Sequence, residues 1–131
     1  VPIVNENDCV AVEEIVYGDN DCLSAIVAKL VGADTLIILT DIDGLFDDNP
    51  TLNPQAKLIS SVEHITEEME SHAGGAGTHL GTGGMATKLH AARIATEAGI
   101  DTYIINGTPA ANIYKIIDNE PIGTYFKAVK P

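Results

Sequence analysis

The segment Thr35–Thr40, with the sequence TLIILT, decides the fold class that the chain predicts. Its central residues are all apolar, without the alternation of a half-exposed strand, and this pattern is typical of a strand covered on both faces in a parallel sheet. We therefore expect it to be the central strand. Polar residues follow it directly, and ligands of open α/β sheets bind beyond the carboxyl ends of the strands.

Strand-like and helix-like segments alternate on both sides of this strand. Residues 1–4 and 10–16 are β-prone and precede a helix that Asp19 or Asn20 can cap and Gly32 can end. The buried face of that helix is predicted from apolar residues at helical spacing: Leu23, Ile26, Val27, Leu30 and Val31. Beyond residue 40 the sequence predicts an irregular segment over 41–55, helices over 62–72, 85–98 and 110–117, and strands over 102–105 and 122–126. This alternation predicts an α/β fold: an open, mainly parallel sheet with helices on both faces.

Length and composition limit the classes of protein to which the chain can belong. Its 131 residues, of which 45% are hydrophobic and 20% charged, fit one globular domain. No apolar run approaches the roughly 20 residues of a membrane span. A net charge of −12 disfavours a nucleic-acid partner. We expect Cys9 and Cys22 to be reduced thiols in the cytoplasm. Because the chain begins in a β-prone segment without an initiator Met, we expect it to be part of a longer protein.

A glycine-rich segment, GTGGMATK at residues 81–88, is the most informative motif for chemistry. Its glycines let backbone amides approach an anion, the helix that follows adds its positive dipole end, and Lys88 adds a mobile charge. The segment is not a Walker loop, because Thr87 and Leu89 flank the lysine, and no apolar strand precedes it as a dinucleotide fold requires. Spacing alone leaves two interpretations open, a phosphate-binding loop or a surface loop that precedes a helix.

Three polar segments lie where the predicted fold places ligands: NEND at 5–8, GDND at 18–21 and TDIDGLF at 40–46. Asp21 falls in the first turn of the predicted helix, where the dipole favours a carboxylate, so a purely structural role stays open for it. The segment after the strand fails the calcium-loop pattern and is equally well interpreted as an acidic turn closed by Gly44. The four histidines and two cysteines lack the spacing of metal ligands, so no protein metal site is predicted.

Taken together, VPIVNEND at 1–8, GDND at 18–21, TDIDGLF at 40–46 and GTGGMATK at 81–88 resemble the glutamate-phosphorylating members of the amino-acid kinase family. The motifs follow in order over nearly the whole chain, and GTYF at 123–126 is similar to the closing strand of the family. The resemblance implies a three-layer sandwich and ATP-dependent transfer of a phosphoryl group to the γ-carboxylate of L-glutamate, the first step toward proline, with Mg²⁺.

The resemblance also implies roles for individual residues. Asp21 and Lys88 are similar to the catalytic pair, in which the aspartate organises the lysines, and Asp8 and Asn20 to the glutamate-binding residues. The residues similar to the nucleotide-binding set are Thr40, Asp41, Thr82, Gly83, Gly84, Met85, Ala86, Thr87 and Lys88. ATP would then place its phosphates against Gly83, Gly84 and Lys88, with the base near Thr40 and Asp41.

The family pattern further implies what surrounds this chain. Residues 1–131 resemble the C-terminal, nucleotide-side portion of a kinase domain, without the N-terminal half that carries a glycine-rich loop and a second lysine. No segment resembles the small C-terminal RNA-modification-type domain of some members. The resemblance implies a homo-oligomer with possible feedback inhibition by proline. Two alternatives stay open: a sister kinase acting on another amino acid or an acetyl-amino acid, and a non-catalytic acidic nucleotide-binding module or inactive fragment.

Overall fold

The computed structural model describes residues 20–50, 52–74 and 84–129. Within these ranges the chain alternates helices and strands in the order α1 (Asn20–Val31), β1 (Thr35–Thr40), β2 (Ser61–Val62), α2 (Glu67–Gly74), α3 (Met85–Glu97), β3 (Asp101–Asn106), α4 (Asn112–Ile117) and β4 (Thr124–Phe126). The strands predicted over 1–4 and 10–16 lie outside the described residues.

The four strands form one open sheet in the order β1-β3-β4-β2. β1 and β3 are parallel, with Thr35 opposite Asp101 and Thr40 opposite Asn106, so that both strands end at the same edge. β4 is antiparallel to β3 and parallel to β2. The predicted open α/β sheet is therefore confirmed. Of the three strand pairs in the described sheet, two are parallel and one is antiparallel.

The predicted central position of β1 is not what the described sheet shows. β1 is an edge strand there, paired with β3, and Ile38 is its one buried residue whereas Leu39 is 44% exposed. An apolar run indicates that a strand can be buried on both faces, but it does not indicate how many neighbouring strands pair with it.

Helices cover opposite faces of this sheet. Ile104 of β3 packs in the core with α3, whereas its neighbour Tyr103 lines a cavity of about 370 Å³ together with Ile116 of α4. Successive residues of a strand point to opposite faces, so α3 and α4 lie on different sides. This arrangement confirms the prediction of helices on both faces.

The prediction of the buried face of α1 is wrong. The buried residues are Cys22, Ala25 and Ala28, while Leu30 is 80% exposed and Val31 68% exposed. α1 packs along α3, and the shared core contains alanines of both helices, because small side chains allow helix axes to approach closely. The periodicity of the larger apolar residues marked the other face.

The predicted helix ends are confirmed. Gly32 has a positive φ of 68°; its N–H donates to the Lys29 carbonyl and the Ala33 N–H donates to the Ala28 carbonyl. This is the Schellman arrangement, which satisfies the last carbonyls of α1 and needs a left-handed residue. Gly99 ends α3 in the same conformation, with a φ of 85°.

The helix predicted over 62–72 begins later than expected. Val62 instead belongs to β2, where it pairs with Phe126 of β4, and α2 starts at Glu67. The cause is a strand partner more than sixty residues away, which local periodicity does not reveal.

A buried threonine ties the segment after β1 to β4. The Thr124 hydroxyl accepts a hydrogen bond from the Leu45 N–H (2.9 Å) and donates one to the Ile59 carbonyl (2.6 Å). Leu45 and Thr124 are both fully buried. No helix in the described ranges has the length and apolar character that crossing a bilayer requires.

Candidate functional site

The packing of α1 on α3 brings the starts of the two helices together. Lys88 Nζ lies 3.2 Å from Asp21 Oδ2, and the two side chains are 17% and 21% exposed. Asp21 lies in the first turn of α1, where the helix dipole favours its carboxylate. The result is a partly buried ion pair between residues that the sequence resemblance assigns to catalysis.

Thr87 contacts the same carboxylate. Its Oγ1 lies 3.0 Å from Asp21 Oδ2 and 2.9 Å from the backbone carbonyl of Gly84. Lys88 folds back over the helix start, since a Cβ atom at Gly84 would lie 3.4 Å from Lys88 Nζ. The ammonium group therefore lies next to the backbone of Gly84.

The start of α3 has the character of an anion site. Among the described residues no side chain caps its first turn, at which Gly84 is the N-cap. The first N–H groups of a helix lack intrahelical acceptors and carry the positive end of the dipole. A phosphate group placed there would meet these N–H groups and the Lys88 ammonium.

The carboxyl edges of β1 and β3 form a second polar region. The Gly107 N–H donates to the Thr40 carbonyl at 2.9 Å, and the Asn106 side-chain amide donates to Asp43 Oδ1 at 3.3 Å. The Thr40 hydroxyl donates to Asp41 Oδ1, also at 3.3 Å. The two strand ends therefore meet, as their parallel pairing predicts.

The predicted site residues fall into four groups. Asp21, Gly84, Thr87 and Lys88 are in contact with one another. Thr40 and Asp41 lie at the β1 edge, and their hydrogen bonds given above do not reach the Asp21–Lys88 pair. Asp8, Thr82 and Gly83 lie outside the described residues, so their predicted roles stay predictions.

The fourth group consists of the three remaining predicted residues, which belong to α1 and α3. Asn20 is the exposed first residue of α1. The Met85 side chain is buried in the core, 1% exposed, and Ala86 packs against that core. A nucleotide contact at Met85 would therefore have to be made by its backbone.

The sequence did not predict two of the contacts. Thr87 and Asp21 are 66 positions apart, and no local sequence pattern predicts their hydrogen bond. Asp43 was not singled out, although its contact with Asn106 follows from the shared edge of β1 and β3. The signal that predicts the contact between Asp43 and Asn106 is the parallel pairing of β1 and β3, whose carboxyl ends lie at the same edge of the sheet.

Arg93 connects α3 to α2 through ion pairs with two glutamates of α2. Its guanidinium binds Glu70 at 3.0 Å and Glu97 at 3.1 Å, and His90 contacts the same Glu70. The hydrogen bonds that Arg93 donates to Glu97 and Glu70 raise its pKa above the ordinary value. Both helices that border residues 75–83 are thus joined by charged contacts.

The sequence matches a known protein family and is similar to several known enzymes. The model of the "Amino acid kinase family" matches residues 1–106. The chain is 54% identical over 130 residues to a glutamate 5-kinase of Clostridium tetani, covering 99% of the chain and 49% of that relative. It is 57% identical over 126 residues to a glutamate 5-kinase of Clostridium acetobutylicum, covering 96% and 47%. The chain therefore spans about half the length of these two relatives.

Solved structures share the fold. An isopentenyl phosphate kinase of T. acidophilum superposes with a TM-score of 0.62 at 24% identity, over 83% of this chain and 39% of that one. A uridylate kinase of Archaeoglobus fulgidus superposes with a TM-score of 0.55 at 26% identity, over 81% and 45%. Because the family model covers residues 1–106 of the 131, the chain belongs to the amino-acid kinase family.

Proposed function

We propose that the native polypeptide carrying this sequence transfers the γ-phosphoryl group of ATP to the γ-carboxylate of L-glutamate. The products are γ-glutamyl phosphate and ADP, and the chain supplies the nucleotide side of the site. The observation that carries the proposal is the Asp21–Lys88 pair at the adjoining starts of α1 and α3. Glutamate as the acceptor rests on the glutamate 5-kinases to which the chain is similar.

The chemistry needs positive charge at one place in an acidic protein. Phosphoryl transfer depends mainly on positioning and on neutralising charge on the phosphoryl oxygens. The Lys88 ammonium and the N–H groups at the start of α3 supply that charge locally, against the overall charge of −12. Asp21 limits the directions in which the lysine can extend, because it binds the ammonium at 3.2 Å.

This arrangement is compatible with a magnesium ion that binds together with the nucleotide. Within the part of the chain that the structure describes, no group of three or more His, Cys, Asp or Glu residues is placed to hold a metal ion. Mg²⁺ bound to a nucleotide needs only one or two carboxylates besides phosphate oxygens and water. Its contribution when bound is neutralisation of phosphate charge, and Asp41 and Asp43 at the strand edge are the exposed carboxylates that could approach it.

Several finer features belong to the same proposal. We propose Asp8 and Asn20 as glutamate-binding residues and Thr40, Asp41 and residues 82–88 as nucleotide-binding residues, with Thr87 contributing through its backbone N–H only. Asn20 directly precedes Asp21, so an acceptor held there would lie beside the ion pair. The reaction would begin proline biosynthesis in the cytoplasm, in a homo-oligomer open to feedback by proline.

The test is an assay of the native polypeptide with ATP, Mg²⁺ and L-glutamate. We expect glutamate-dependent release of ADP, and hydroxylamine should trap the acyl phosphate as a hydroxamate. N-acetylglutamate in place of glutamate distinguishes a sister kinase. If ATP binds but no acceptor increases the release of ADP, the chain is a non-catalytic nucleotide-binding module and the proposal fails.

A further inference from the structure

We propose that Thr87 is a positioning residue, whose hydroxyl holds the Asp21 carboxylate in place beside Lys88, and that this hydroxyl is not a nucleotide contact. The inference rests on the proposed function for its kinetic consequence. Its structural basis is independent of that function, since Thr87 Oγ1 and Lys88 Nζ both lie within 3.2 Å of the same atom, Asp21 Oδ2.

The hydrogen-bond inventory of the hydroxyl supports this role. A threonine hydroxyl has one proton to donate, and two acceptors compete for it here: the Gly84 carbonyl at 2.9 Å and Asp21 Oδ2 at 3.0 Å. Hydrogen bonds to an ionised acceptor are about twice as strong as those between neutral groups. The carboxylate is therefore the preferred acceptor whenever its other partner, Lys88, is drawn away.

This competition gives Thr87 a part in the reaction. When Lys88 turns toward a phosphoryl group, Asp21 loses the ammonium donor that contacts its Oδ2 in a partly buried site. The Thr87 proton can then move from the Gly84 carbonyl to Asp21, so that the carboxylate keeps a donor and its orientation. Without the hydroxyl, the carboxylate would be free to rotate away from the lysine that it directs.

The same helix contains a matched threonine without a carboxylate partner. The Thr96 hydroxyl donates to the Arg93 carbonyl at 3.2 Å, the same bond to the third preceding residue that Thr87 makes to Gly84. Thr96 is buried at the far end of α3. Its replacement by valine removes an equivalent helical bond and leaves Asp21 and Lys88 unchanged.

The kinetic experiment compares Thr87→Val, Thr87→Ser and Thr96→Val in the native polypeptide. For Thr87→Val we expect kcat to fall about tenfold, the loss that one hydrogen bond to a charged group represents, while KM for ATP stays within about threefold. Thr87→Ser restores kcat, and Thr96→Val leaves it unchanged. A raised KM for ATP with normal kcat in Thr87→Val would make the hydroxyl a nucleotide contact and overturn the inference, as would a serine variant as impaired as valine.

A second measurement does not depend on activity. Trace acetylation with acetic anhydride, followed by mass spectrometry, gives the reactivity of Lys88 relative to the exposed Lys115. We expect Thr87→Val to raise this ratio about threefold, because a carboxylate without its hydrogen bond holds the ammonium less firmly. Thr87→Ser and Thr96→Val should match the wild type. An unchanged ratio in Thr87→Val overturns the inference, whereas a wild type that shows the expected ratios but no kinase activity contradicts only the proposed function.

Discussion

Asp21 and Lys88 are 67 positions apart in the sequence and 3.2 Å apart in the structure. Their contact places a cation near the start of α3, where the helix dipole by itself disfavours positive charge. The Asp21 carboxylate offsets that cost and at the same time restricts the lysine. The ion pair therefore keeps a positively charged side chain at a helix start, where the dipole otherwise favours anions.

Removing the lysine should abolish most turnover. In Lys88→Ala the charge that neutralises phosphoryl oxygens is lost, and we expect kcat to fall by about 10² to 10³ with little change in melting temperature. Lys115→Ala, an exposed lysine in the last turn of α4, is the control and should keep normal turnover. Steady-state assays of both variants decide the point, and unchanged turnover in Lys88→Ala would remove this residue from the mechanism.

The structural and catalytic roles of Asp21 can be distinguished by a substitution that removes only its charge. Asp21→Asn keeps a polar side chain of the same size at the start of α1 but removes the charge that holds Lys88. We expect a melting curve close to that of the wild type together with a fall in kcat of at least about tenfold. Normal phosphorylation by the asparagine variant would show that Asp21 has only a structural role.

The 131-residue chain by itself should have no measurable glutamate kinase activity. The chain spans 49% of its Clostridium tetani relative, and Lys88 is the lysine that we propose neutralises the phosphates. Orienting an anionic acceptor requires groups on several sides, and a misplacement of about 1 Å can cost on the order of a hundredfold. Assays of the chain beside that relative test this expectation, and turnover within about tenfold of the relative would contradict it.

Gly123 should tolerate substitution far less well than Gly32. Both have positive φ angles, 62° and 68°, but a Cβ at Gly123 would meet the Ile104 carbonyl and lie 2.6 Å from Ile105 Cγ2, whereas Gly32 has open space. Gly32→Ala should cost about 1 kcal/mol from backbone strain alone, and Gly123→Ala about 3 kcal/mol or more because the clash adds to the strain. Urea unfolding measures both, and equal losses would disprove the clash.

Tyr125 should make stability depend on alkaline pH. Its hydroxyl donates to Asp101 at 2.8 Å, and burial, followed by this bond to a carboxylate, raises the pKa of Tyr125 from 10.0 to about 12. Since the folded pKa is the higher one, the contribution is fully present below about pH 10 and is lost as the pH rises to about 12.

Melting temperatures between pH 8 and pH 11.5 test this linkage. We expect Tyr125→Phe to lose about 1 kcal/mol at pH 8 and to show a weaker alkaline decline than the wild type. Tyr114→Phe, at an exposed residue of α4, should behave as the wild type. Parallel declines in the wild type and Tyr125→Phe would exclude Tyr125 as the cause.

Local signals predicted the elements of the fold well. The apolar run of β1 and the glycines after α1 and α3 act within a few residues, so the strand and both helix ends could be predicted from the sequence. The buried face of α1 could not, because that helix has two apolar faces and the one made of small residues packs on α3. Choosing between them needs the shape of the partner helix.

The candidate site was predictable to a similar extent. The resemblance named Asp21 and Lys88, and the structure brings them into contact. It could not predict that Thr87 shares the same oxygen atom, because this depends on the rotation of α3 relative to α1. The register of β1 and β3 does explain why Thr40 meets Gly107, since parallel strands end at one edge.

The Thr124 hydroxyl, bonded to both Leu45 and Ile59, affects how the protein opens locally. Leu45 is 79 positions away in the sequence, so closing this contact fixes a long loop and its entropic cost is met only once the sheet has formed. Opening either the segment after β1 or β4 exposes a buried polar group on the other. We therefore expect the two segments to form one cooperative unit, whose amide protons exchange with solvent together.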